Sequence, residues 1–172
     1  HGSFDLVFSL GVLEHFEPAT TVDLIREQAR CAPAVLVALP TAVGVFMEAF
    51  ATLPEPYARL VVAGQAVDED YVLRLRGLAA TDPRVRFEPG FVPDERLQLY
   101  LRAADVVACP FLEIFTSGSV LLAMSFERAV IAPRRGCVVD TLDEAGGLLY
   151  DADDPQGLAG ALQAAMRADL EA

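Results

Sequence analysis

Short apolar runs alternate with longer stretches in which apolar residues recur every three or four positions, almost without a break along the chain. The short runs read as strands: 4–9 (FDLVFS), 34–39 (AVLVAL), 59–63 (RLVVA), 85–88 (VRFE), 105–109 (DVVAC), 129–132 (AVIA) and 147–150 (GLLY). The longer stretches at 19–32, 43–53, 68–80, 94–103, 117–126 and 155–168 carry helical spacing, and a short helical turn is expected at 141–145. Local signals agree: Pro40 stops one strand, Gly64 closes another, Asp68 caps a helix that has Glu69 and Asp70 in its first turn, and Asp154 caps one that opens on Pro155. The runs 35–39, 60–63 and 106–109 are continuously apolar, as expected of central strands covered on both faces. Strands separated by helices of this length predict parallel βαβ units. The expected fold is α/β, a doubly wound, mostly parallel sheet of six or seven strands with helices on both faces.

Composition narrows the function classes. At 172 residues and 53% apolar content the chain suits one compact domain and excludes disorder. Thirteen basic residues against 25 acidic ones give a net charge of −12, which argues against nucleic acid and anionic lipid as partners. All 13 basic residues are arginine, so no lysine can form a Schiff base or clamp a phosphate. Cys31, Cys109 and Cys137 lack metal-site spacing and read as reduced packing residues of a cytoplasmic protein; no metal and no cofactor are expected. Pro33, Pro40 and Glu48 interrupt the most apolar stretch, 32–53, which predicts a buried strand and helix in place of an integral membrane segment. The opening His-Gly-Ser, residues 1–3, resembles a tag remnant.

In an open parallel sheet, ligands sit beyond the carboxyl ends of the strands. The most informative loop there is 110–119 (PFLEIFTSGS), which enters a helix through Thr116, Ser117, Gly118 and Ser119. Free N–H groups at a helix start, with hydroxyls and a glycine beside them, suit a diphosphate; an ordinary capped helix would show the same residues.

From about residue 41 onward, TAVGVFMEAFATLP, ARLVVAG, VRFEPGFVPDERLQLYLRAADVVACPF, TSGSVLLAMSFERAVIAP and GLLYDADDPQGLAGAL together resemble the C-terminal half of a GT-B glycosyltransferase of the group 1, family 4 type. The resemblance implies a Rossmann-like domain that binds a nucleotide diphosphate sugar as donor substrate and is inactive alone, its acceptor-binding partner domain being absent. It implies that Glu113 contacts the sugar as the catalytic residue, that Thr116, Ser117, Gly118 and Ser119 seat the diphosphate, and that Phe91 and Val92, with Gly64 nearby, meet the base. Members of this family carry an arginine and a lysine toward the diphosphate. Here Thr41 takes the lysine position and no arginine follows the first strand, so Arg134 and Arg135 after the next strand are the candidate substitutes, Arg134 being the one taken as a binding residue, with solvated loop arginines as the alternative. The family's two glutamates eight apart fall near Ile114 and Leu122, and Glu127 stands where a glycine usually precedes the next strand.

Residues 4–40 resemble another family, the class I S-adenosylmethionine-dependent methyltransferases, through FDLVFSLGVLEHFEPATTVDLIREQARCAPAVLVALP. That resemblance implies a cofactor loop at Gly11, Glu14 and His15, with S-adenosylmethionine as cofactor under this alternative alone; His15 as a surface residue between carboxylates is the plainer reading. The expected organisation is a methyltransferase-like segment at 4–40 joined to a glycosyltransferase-like domain at 41–172, in one compact body over 4–172. A non-catalytic Rossmann-like structural domain is a third reading. A homodimer through the first residues is expected, because strand 4–9 has no settled place in a single sheet.

Overall fold

The computed structural model describes residues 7–10, 34–37, 42–66, 68–111, 118–142 and 147–167, the first two segments by backbone alone. Seven strands alternate with helices: β1 (Val7–Leu10), β2 (Ala34–Val37), α1 (Val43–Ala51), β3 (Arg59–Gly64), α2 (Glu69–Thr81), β4 (Val85–Pro89), α3 (Asp94–Ala103), β5 (Val106–Ala108), α4 (Gly118–Ser125), β6 (Ala129–Pro133), α5 (Val138–Thr141), β7 (Gly147–Tyr150) and α6 (Gly157–Arg167). Every pairing is parallel. β4 lies on one edge of β3, β2 joins β3 to β5, and β6 and β7 follow.

The α/β architecture with parallel strands is as expected, but the count of six or seven is not met by the strands whose side chains are described. These are five, β3 to β7. A strand has two hydrogen-bonding edges, and β4 holds one edge of β3, with Leu60 opposite Val85. Val7 of β1 and Val35 of β2 are both placed opposite Leu60, so the two segments claim one edge in one register.

The burial expected of the central runs is found in β3 and β5: Leu60, Val61, Val62 and Ala63 are at most 3% exposed, and 106–109 at most 1%. Side chains alternate across the sheet and build two apolar layers. Val61, Ala63, Val107, Cys109, Val130 and Ala132 face α3, α4 and α5. Leu60, Val62, Val106, Ala108, Ile131 and Tyr150 face α1, α2 and α6. β4, at the edge, is half-buried throughout.

Several boundaries move. A short helix, α5, covers Val138–Thr141 with Val138 and Leu142 buried in the first layer, and residues 143–145 of the turn expected at 141–145 lie outside the described residues. The last helix begins at Gly157, two residues after Pro155: the Asp154 carboxylate accepts from the Gln156 N–H at 2.9 Å and holds a turn in front of it. A Cβ at Gly157 would lie 2.2 Å from the Asp151 carbonyl oxygen, so only glycine allows α6 to approach the end of β7 this closely. Asp68 caps α2 as expected, accepting from the Asp70 N–H at 3.0 Å. The helix expected at 19–32 lies outside the described residues.

α1 has no glycine at its C-terminus, and its carbonyls are met from a distance in sequence. The Arg84 guanidinium donates to the carbonyls of Leu53 and Glu55 at 2.8 and 2.9 Å and to those of Phe50 and Ala51 at 3.4 Å. It also forks onto Asp82, with Nε 3.0 Å from Oδ1 and Nη2 2.7 Å from Oδ2, and lies 4.9 Å from the centre of the Phe50 ring.

α4 ends in a two-bond cap. The Arg128 N–H donates to the Ala123 carbonyl at 3.0 Å and the Glu127 N–H to that of Met124 at 2.9 Å, which forces Glu127 to φ 59°. This left-handed position explains the glycine that usually stands there. Glu127 is exposed and its carboxylate makes no ion pair among the described residues, so Glu127→Gly is expected to raise stability by about 1 kcal/mol in chemical denaturation. A loss of stability would show that the strain is offset by a contact of the carboxylate.

Candidate functional site

The parallel order brings five loops to one edge. Gly64 ends β3 at φ 150° and Gly90 follows β4 at φ 137°, and the Gly90 N–H donates to the Gly64 carbonyl at 2.9 Å. Phe91 and Val92 come next. Val92 is 4% exposed and anchored in the first layer together with Val120 of α4, and Phe91 packs against the same layer. α4 opens on Gly118, which is exposed, with Ser119 half-buried behind it. A Cβ at Gly118 would meet nothing within 4 Å. Arg134 follows β6; its N–H donates to the Tyr150 carbonyl at 2.7 Å, and its exposed side chain borders a hollow of about 700 Å³ shared with Leu142, Tyr150, Asp151 and Asp154.

Strand order therefore sets Gly118 between the Gly64–Gly90 end and Arg134. The two neighbouring arginines divide their roles: Arg135 pairs with Asp153, whereas Arg134 has no ion-pair partner among the described residues. Glu113, Thr116 and Ser117, and the other candidate loop at Gly11, Glu14 and His15, lie outside the described residues. Among the described residues no group of three His, Cys, Asp or Glu could hold a metal ion, and no helix is long and apolar enough to cross a membrane. Cys109 is fully buried, which pushes its thiol up to about 12 and leaves it protonated at neutral pH.

A second feature was not foreseen. At the open edge of β4 a groove of about 300 Å³ is lined by Arg76, Arg86, Glu88, Phe91, Arg96 and Tyr100, among others. Arg86 pairs with one Glu88 oxygen, the Tyr100 hydroxyl donates to the other at 2.6 Å, and Arg96 Nη2 donates to that hydroxyl at 3.2 Å. Burial, reinforced by the Glu88 carboxylate, pushes the Tyr100 phenol well above its ordinary value. The signal was present: Arg86 and Glu88 alternate onto one face of β4, and Arg96 stands four residues before Tyr100 on α3.

With this geometry in view, the sequence comparison is decisive. The family of glycosyl transferases group 1 matches residues 34–168, most of the chain. The chain belongs to that family. The match takes in Ala34–Val37, part of the stretch that resembles a methyltransferase, and leaves residues 4–33 outside it. Among solved structures, sucrose-phosphate synthase from Thermosynechococcus elongatus superposes with TM-score 0.73 at 25% identity, over 94% of this chain and 43% of that one. Anabaena HepE in complex with UDP-glucose gives TM-score 0.65 at 21% identity, over 88% of this chain and 44% of that one. The C-terminal domain of a group 1 family glycosyl transferase from Francisella tularensis gives 0.67 at 20%, over 94% of this chain and 86% of that domain. This group 1 chain thus spans less than half of the first two proteins and nearly all of a C-terminal domain. No curated protein matches it in a sequence search.

Proposed function

We propose that this glycosyl transferase group 1 chain is the donor-binding half of the enzyme, taking a nucleotide diphosphate sugar along the carboxyl edge of its sheet and lacking activity without an acceptor-binding domain. The observation that carries the reading is the set of glycines Gly64, Gly90 and Gly118 on that edge, of which Gly90 and Gly118 leave open space where a side chain would stand. The N-terminus of α4 supplies N–H groups and positive potential where no lysine exists. Phe91 and Val92 offer an apolar seat for a base, and Arg134 a free cation for phosphate. Glu113 and the hydroxyls of Thr116 and Ser117 take the sugar and diphosphate by their place in the loop. HepE, of the same fold, is recorded with UDP-glucose.

Calorimetric titration with UDP, GDP and S-adenosylmethionine tests this. UDP or GDP is expected to bind and S-adenosylmethionine not; binding of S-adenosylmethionine alone would overturn the reading. Arg134→Ala is expected to weaken the nucleotide by about 1–3 kcal/mol, the range for a hydrogen bond to a charged group. An unchanged affinity would return Arg134 to the role of a solvated loop residue.

A further inference from the structure

The groove beside β4 holds a positive charge that the described residues do not neutralise. Its linked network contains two guanidiniums, Arg86 and Arg96, and one carboxylate, Glu88, joined through the neutral Tyr100 hydroxyl. Arg86 is the ion-pair partner of Glu88, which leaves Arg96 over. Arg96 is 5% exposed, yet among the described residues one of its five N–H donors is used, toward Tyr100, and its guanidinium lies 5.8 Å from the centre of that ring. It pairs with no carboxylate among the described residues. A buried charge left in this state costs stability unless an opposite charge sits against it. The groove that Arg96 lines supplies the space, about 300 Å³ with Phe91 and Val92 as apolar wall and the exposed Arg76 as a further cation. This cationic lining belongs to a chain of net charge −12, so it is a local feature and not a general property of the surface.

We propose that the β4 groove binds the oxyanion of a small organic acid, a carboxylate or phosphate monoester on an apolar body, with Arg96 as its counter-ion. The groove lies beside β4 whereas Gly118 follows β5, with β3 and β2 between those two strands, and Val92 is the wall residue that shares a layer with Val120 of α4. Tyr100, held by Glu88, keeps the Arg96 fork facing the cavity and its remaining donors available. Because Phe91 and Val92 also form the base seat proposed above, the site is measured on nucleotide-free protein.

The test titrates the chain with benzoate and with inorganic phosphate, against chloride at equal ionic strength, followed by thermal shift and calorimetry. A saturable response to benzoate assigns a carboxylate ligand and one to phosphate a phosphate monoester; either supports the site. Arg96→Met is expected to weaken the response at least tenfold while melting no lower than the parent, since an apolar chain of similar length replaces an unpaired buried charge. Arg96→Lys keeps the charge without the fork and is expected to bind more weakly than the parent and more tightly than Arg96→Met. Absence of any saturable response, or a response that survives Arg96→Met, would overturn the proposal. So would an Arg96→Met protein melting more than about 5 °C lower, which would make Arg96 a structural residue.

Discussion

Replacing Arg84 with alanine is expected to cost about 3–5 kcal/mol, the range for removing one partner of a buried ion pair. At about 2–4 °C per kcal/mol for a domain of this size, the melting temperature should fall by roughly 10 °C or more. The side chain is 14% exposed and every N–H it has is engaged, on Asp82 and on four carbonyls at the end of α1. Its loss removes a donor from each of those carbonyls, of which Phe50 and Glu55 keep a backbone N–H, and leaves the Asp82 carboxylate, 12% exposed, without its cation. Arg84→Lys supplies three donors from one point and should recover less than half of the loss. The same pair sets an acid limit. The Arg84 hydrogen bond holds the Asp82 carboxyl below its ordinary value of 3.8, against the opposing effect of burial. A lowered folded-state value means that the contribution is complete above 3.8 and is lost as pH falls below it. Denaturation from pH 7 to pH 2 should therefore show a shallower acid loss in Arg84→Ala than in the parent. A loss under about 1 kcal/mol for Arg84→Ala would show that water satisfies the α1 carbonyls as well as the guanidinium does.

Gly118→Val should abolish nucleotide binding while leaving the protein folded. The two effects separate cleanly because a Cβ at Gly118 meets nothing within 4 Å, so the side chain enters open space at the start of α4. That space is where a phosphate must come close to the first N–H groups of the helix. The expected loss of affinity is at least about a hundredfold, near 2.7 kcal/mol, with the melting temperature within a few degrees of the parent. Titration of UDP or GDP into the folded variant reads it directly. Retained binding would move the phosphate site to another loop.

The fold was legible where burial is two-sided. Runs such as 60–63 and 106–109 are apolar at every position, and no arrangement other than a central strand makes use of that. The edge strand β4 was found through its neighbours, since two of the five residues of VRFEP are charged and it reads weakly by itself. Boundaries failed where a tertiary contact overrode the local signal. Pro155 suits a first helical position, but the Asp154 turn and the approach of Gly157 to Asp151 delay the helix. Arg84 and Arg96 were invisible as hubs because nothing in the sequence says that residues 31 positions apart, such as Leu53 and Arg84, will meet. The candidate site was legible through its glycines, which carry their backbone requirement wherever the chain goes. The charged groove was not, because it depends on which helix covers which edge.

The sheet also acts as a partition. Phe46, Phe50 and Leu162 belong to one apolar layer and Tyr100, Leu101 and Val138 to the other, with the strand backbones between them. Away from the carboxyl edge, where Leu142 and Tyr150 line one hollow, substitutions on opposite sides should add in their energetic effects, whereas pairs within a layer should couple. The candidate ligand groups anchored by Val92 and Val120 draw on the first layer alone. The α1 part of the second layer, around Phe46 and Phe50, can therefore be repacked for durability without disturbing Val92 and Val120 in the first.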